Sequence, residues 1–212
     1  MAIFNTVYGG EKWKPNANTI AYYPLTSSTT INDQSGNGNN LTNNWITFWT
    51  YSWVNCWYFN GNYAYKSWSL FTWNPTFACS IWAKMTNYWV YWAFWQTTSN
   101  YSFIVFRDDP SWKIKIWWWS NDQLTPYVVD ANWHNIIFTY GSWNWSVYVD
   151  GVDVYDGTRS PNIQNDKTVI WANTAFSTPM QWYMSEVIFE NKKWSLSEAE
   201  NYYNKTKANY WL

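Results

Sequence analysis

From Ser146 to Tyr155 the chain reads SVYV, then DG, then VDVY. Two alternating stretches are joined by a dipeptide that favours a two-residue type I′ turn. A period of two places every second side chain on one face, so this segment is held to an antiparallel hairpin. Comparable short runs rich in Tyr, Phe, Trp, Val, Ile and Thr recur at 21–25, 56–61, 77–84, 101–107, 113–117, 135–140, 167–172 and 183–190. Polar turn clusters at 32–40, 107–111, 120–123 and 160–166 separate them. Many short strands with regular turn signals predict an all-β fold, an antiparallel two-sheet β-sandwich of jelly-roll type. One segment departs from this pattern. Ser195 with Glu198 and Ser197 with Glu200 form two overlapping capping boxes. A short C-terminal helix is expected there, packed on an edge of the sandwich through Leu196, Ala199 and Tyr203. Residues 1–18 carry the weakest pattern and read as an arm that docks elsewhere, leaving 19–212 as the sandwich.

The chain holds 22 tryptophans and 8 glycines, where about 7% glycine, roughly 15 residues, is usual at this length. The excess and the shortfall fall in the same places. Trp45, Trp49, Trp53 and Trp57 recur every four residues, Trp89, Trp92 and Trp95 crowd one strand, Trp117 to Trp119 are consecutive, and Trp143 and Trp145 sit in a turn-like GSWNWS. Turns call for residues that tolerate positive φ, and large rings do not. Two readings follow. In one, the tryptophans form an aromatic surface that stacks on sugars. In the other, which the pattern favours, many stand where glycine belongs, because a UGA codon has been translated as tryptophan in place of glycine.

The formal charge is −1 and charged residues make up 13% of the chain. That leaves no basic stripe for nucleic acid. No apolar run reaches the roughly 20 residues of a membrane span, so membrane insertion is not expected. The N-terminal stretch lacks the basic-then-apolar order of a secretory signal. Cys56 and Cys79 are the two cysteines and His134 the one histidine, too few for a zinc site. The cysteines are read either as a disulfide between neighbouring strands or as two buried thiols.

Six segments in order resemble the laminin-G-like, concanavalin-A-like superfamily in its bacterial and viral form. They are IAYYPLTSSTTINDQSGNGNNLT (20–42), YFNGN (58–62), FACSIWAKM (77–85), ANWHNIIFTY (131–140), VYVDGV (147–152) and MQWYMSEVIFENKKWSLSEAENYY (180–203). The resemblance covers the chain from about Thr19 to Lys205. Trp49, Trp53, Trp171 and Trp182 fall where that superfamily writes glycine. Trp82, Trp133 and Trp194 fall where it writes an aromatic.

The superfamily includes glycoside hydrolases, which on this fold use a run of alternating acids. Retaining hydrolysis needs two carboxylates about 5 Å apart. The nearest approach in this chain is Glu186 and Glu190 in SEVIFE, without a central Asp, so no catalytic residue is assigned. His134 is read as structural. The resemblance implies a structural Ca²⁺ held by Asp33 and Glu186, with carbonyls near Gly36 and Asn37. The alternative for Asp33 and Ser35 is a turn capped by side-chain to backbone bonds. Loops at 87–100, 119–130 and 157–166, together with Trp92, Trp95 and Trp117 to Trp119, are the candidates for stacking on sugars. The expected function is a non-catalytic recognition module that binds a glycan or cell-surface protein. Its setting would be an adhesin, a cell-surface protein or a phage tail, outside the cell or on a virion. The alternative is a structural virion or appendage protein whose sandwich makes subunit contacts, including those of a homo-oligomer.

Overall fold

A computed structural model describes residues 10–24, 31–59, 62–71, 76–85, 91–97, 102–106, 113–118, 121–128, 130–158, 167–170 and 182–212. Two antiparallel sheets lie face to face. The larger contains β1 (Thr19–Tyr23), β3 (Thr47–Tyr51), β4 (Val54–Phe59), β6 (Phe77–Met85), β11 (Trp133–Gly141), β12 (Asn144–Val149), β13 (Val152–Gly157) and β15 (Trp182–Glu190). Its order is β13-β12-β11-β6-β15-β4-β3, with β1 also paired to β15. The smaller sheet contains β2 (Thr42–Asn44), β5 (Tyr63–Lys66), β7 (Tyr91–Thr97), β8 (Ser102–Phe106), β9 (Lys113–Trp118), β10 (Asn121–Val128) and β14 (Lys167–Ile170). They run in the order β10-β9-β8-β7-β14-β5-β2.

The Asp150–Gly151 hairpin forms as its sequence dictates, joining β12 to β13 with φ of 53° and 78° at the two turn residues. Between the sheets, Cys79, Ile81 and Ala83 of β6 and Ile136 and Phe138 of β11 meet Ala64, Ile114 and Ile170 of the smaller sheet. The alternate residues of the larger sheet, among them Ala78, Trp82, Trp133, Ile137 and Ile188, build a second apolar cluster on its outer face. The strand β11 is consequently buried at every position.

That outer face is covered by the C-terminal helix α1 (Leu196–Thr206), which corrects the expectation that it lies on an edge. Ser195 caps it through the expected capping box with Glu198. The buried stripe is Ala199, Tyr202 and Thr206, whereas Leu196 is exposed. A 3-10 turn over Lys207–Tyr210 follows. It carries the Tyr210 ring onto Trp82, 3.9 Å between centroids and 12° from parallel. Over residues 10–18 the lead-in also packs on this side, with Glu11 N–H donating to the Lys205 carbonyl at 2.8 Å and Trp13 edge-on to Tyr22.

Cys56 and Cys79 are both free and buried. β15 lies between their strands, which separates them by two strand spacings, roughly 10 Å. They also face opposite sides of the sheet, Cys56 toward the helix and Cys79 toward the inner core. A bridge needs Cα atoms within about 7 Å, so the two-thiol reading holds. Burial pushes the Cys56 thiol up to about 12 and raises Cys79 as well.

The stacked Trp82 ring fastens the C-terminal turn to the sheet. Truncation by Trp82→Ala is expected to cost about 3–5 kcal/mol, read as a lower denaturation midpoint in urea.

Candidate functional site

β15 changes face through a bulge between Met184 and Val187. On its N-terminal side it pairs with β4 and on its C-terminal side with β1. After the bulge Glu186, Ile188 and Glu190 face the helix. Glu186 accepts hydrogen bonds from the hydroxyls of Tyr22, at 2.9 Å, and Tyr202. Burial raises its pKa, and the two phenols and Lys12 oppose that shift. Glu190, 1% exposed, accepts from Asn16 Nδ2 at 2.6 Å and from the Trp194 indole. Both acids of SEVIFE thus hold the lead-in and the helix to the sheet.

Asp33 lies at the other end of Tyr22. Its Oδ1 accepts from the backbone N–H of Tyr22 (2.9 Å) and Ser35 (2.8 Å). Its Oδ2 accepts from Ser35 Oγ (2.8 Å) and Asn39 N–H (2.9 Å). Gly36 and Gly38 turn the loop with φ of 90° and 68°, values open to glycine at little cost. Asn37 and Asn39 then donate their amides to the carbonyls of Thr19 and Ile20, each at 2.7 Å. The loop serves the free edge of β1 as a missing strand would. With Asp33 saturated by donors and Glu186 held by two phenols, this donor set does not fit a calcium ion as it stands.

His134 sits between two acids, Nδ1 at 2.7 Å from Asp150 and Nε2 at 3.0 Å from Asp130. Burial alone lowers its pKa, but Asp150 and Asp130 outweigh burial and raise it. Asp150 also accepts from Asn135 N–H at 2.9 Å, so the trio ties the β12–β13 turn to the start of β11.

An aromatic cleft of about 380 Å³ opens beside this end of the sheet. Five separate stretches build it: Tyr51 to Trp53 at the β3–β4 turn, Lys84 near the end of β6, Asn132 and Trp133 at the start of β11, Tyr210, and the C-terminal Trp211 and Leu212. The Tyr51 ring continues a ladder through Tyr183 (4.7 Å) to Tyr58 (5.3 Å) and Trp49 (6.0 Å). Trp133 and Tyr210 pack 5.3 Å apart. Lys84 donates to the Ala131 carbonyl and lies 5.0 Å from the Tyr51 ring. Burial lowers its pKa and Asp130 opposes the shift. Flat apolar rings beside a cation and an amide suit a ligand with apolar faces and hydroxyl edges. A second groove, about 350 Å³ between the lead-in and α1, is lined by charges that largely pair with one another. Lys192 meets Glu198 at 2.5 Å and Lys205 meets Glu11 at 3.6 Å.

Nothing in the sequence singled out Tyr51, Lys84, Asn132 or Tyr210, because no one segment contains the cleft. The predicted platforms Trp92, Trp95, Trp117, Trp118 and Trp119 have side chains outside the described residues, as do Trp171, Trp182 and most of the loops at 87–100, 119–130 and 157–166.

No family model and no curated protein matches this sequence. Solved structures match it by fold. The binding domain of botulinum neurotoxin DC, in complex with rat synaptotagmin II, superposes with a TM-score of 0.72 at 11% identity, over 90% of this chain and 52% of that one. A botulinum neurotoxin type C structure, concerned with its interaction with two ganglioside molecules, gives 0.70 at 10% identity over 88% and 51%. Domain 4 of AbnA, a GH43 extracellular arabinanase from Geobacillus stearothermophilus in complex with arabinotriose, gives 0.68 at 16% identity over 87% and 97%. The chain spans about half the length of the neurotoxin domains it matches. At these identities the likeness establishes the all-β sandwich and no more.

Two expectations follow. Asp33→Ala removes four accepted hydrogen bonds and should cost about 2–4 kcal/mol, while added calcium or chelator leaves the melting temperature unchanged. A rise with calcium would show that the loop opens to the ion. The raised pKa of His134 means that its charged pairing stabilises the fold fully below about pH 6.5, and that this is lost as pH rises through the folded-state value. The variant His134→Gln should therefore lose about 2 kcal/mol in mild acid and less at alkaline pH, measured by denaturant titration at both.

Proposed function

We propose that this chain is a non-catalytic recognition module of the concanavalin-A-like, laminin-G-like kind, and that its aromatic cleft binds a glycan. The observation that carries the reading is the convergence of Tyr51, Trp133 and Tyr210 with Lys84 and Asn132 around one cavity. Sugar rings present C–H faces that pack on aromatic rings, and hydroxyls that accept from an ammonium or pair with an amide. The two buried glutamates are engaged as structural acceptors, which supports recognition over hydrolysis. The partners in the matching structures, arabinotriose for the AbnA domain and gangliosides for neurotoxin type C, give the reading chemical precedent. An adhesin, cell-surface protein or phage tail is the setting proposed for it.

A glycan array carrying neutral arabino-oligosaccharides and sialylated ganglioside headgroups tests the idea, followed by calorimetry on any hit. Tyr51→Ala should weaken binding about tenfold, the equivalent of about 1.4 kcal/mol, with little change in stability. Lys12→Ala, in the charged groove, should leave affinity unaltered. No binding to any glycan, or equal loss with both variants, rules out the cleft.

A further inference from the structure

Seven non-glycine residues among those described hold a positive φ: Trp45, Ser52, Trp53, Ser142, Trp143, Asp150 and Trp211. Three of them, Ser52, Ser142 and Asp150, are the first residue of a two-residue hairpin turn. The remaining four are all tryptophan.

The three turns share one geometry. Ser52–Trp53 has φ of 48° and 70°, Ser142–Trp143 has 51° and 64°, and Asp150–Gly151 has 53° and 78°. Positive φ at both positions is the type I′ turn, whose second residue is by preference glycine. The third turn has glycine there, and the other two have tryptophan. Trp211 ends the 3-10 turn in the left-handed conformation, φ 63° and ψ 33°, a position that glycine usually fills. Trp45 links β2 to β3 with φ of 67°. None of the four recovers the strain by burial: they are 81%, 85%, 66% and 56% exposed in chain order. By contrast Trp57, Trp82, Trp133, Trp145 and Trp194 are buried and none has a positive φ. Strain with a functional purpose gathers at one site, yet these four residues are spread over four separate connections.

We infer that glycine is the natural residue at positions 45, 53, 143 and 211, and that tryptophan stands there because a codon read as glycine in the source was translated as tryptophan. The inference also deepens the proposed function and for that part rests on it. Trp53 and Trp211 leave the rim of the cleft, and the ligand face is Tyr51, Lys84, Asn132, Trp133 and Tyr210.

Peptide mass spectrometry of the protein from its own source tests the assignment directly. Each of the four positions should be lighter by one indolylmethyl side chain, and tryptophan at all four overturns the inference. In the tryptophan-bearing chain, Trp53→Gly and Trp143→Gly should each lower the unfolding constant about fivefold. Trp145→Gly, two residues from the second turn but buried, should raise it. Unchanged or reduced stability at both turns contradicts the assignment. The double variant Trp53→Gly, Trp211→Gly should keep its glycan affinity within about twofold of the parent, and loss of binding overturns that ligand face. Stabilisation at both turns in a chain that binds no glycan would refute the proposed function and support the glycine assignment.

Discussion

Glu186 and Glu190 leave water on the same face of β15, and the chain from both of its ends is arranged to receive them. A buried carboxylate without donors is among the most costly groups a fold can contain. Tyr22 and Tyr202 answer the first, Asn16 and Trp194 the second. These donors come from β1, the helix, the lead-in and the helix approach, so satisfying two acids fixes four segments over the outer face. The bulge in β15 is what turns both acids that way. Once the outer face is closed, the larger sheet is buried on both sides and Trp82, Trp133 and Tyr210 become a second core. The price is that the indole N–H groups of Trp82 and Trp133 find no acceptor among the described residues.

The same arrangement explains which parts of the fold are legible in the sequence. Strands built from alternating β-branched and aromatic residues, such as β12, β13 and β15, are plain because their pattern is local. The β3–β4 hairpin is not. Its register runs from Thr47 opposite Tyr58 to Tyr51 opposite Val54, but its turn is Ser52–Trp53, and the recurring tryptophans obscure the alternation. β10 begins at Asn121, inside a polar cluster that reads as a turn, because pairing with β9 overrides local preference. The helix cap is legible, since Ser195 and Glu198 are three residues apart. Its buried face is not, because Tyr202 is drawn inward by Glu186, a residue that sequence alone cannot place beneath it.

Asp33 shows a different limit. A loop of Asp, Ser, Gly and Asn reads equally as a cation site or as a set of turn caps, since both use the same oxygens. What separates them is where the neighbouring donors point. In this fold the N–H groups of Tyr22, Ser35 and Asn39 all converge on one carboxylate, and the Asn37 and Asn39 amides close the edge of β1. An edge strand left open invites pairing with another chain. The polar loop therefore has a structural reason to exist that is independent of any ligand.

The cleft draws on the second core in the same way. Trp133 and Tyr210 are held from beneath, with Tyr210 stacked on Trp82 and Trp82 on Tyr203. A ligand resting on these rings orders nothing that is not already ordered, so little of its binding energy goes into fixing side chains. Rings at Trp53 and Trp211 differ, being more than half exposed on strained backbone. Ordering them on a ligand would carry an entropic cost that offsets much of their stacking. Affinity in this cleft should accordingly follow its floor and the Tyr51–Lys84 wall, whichever residue occupies the rim.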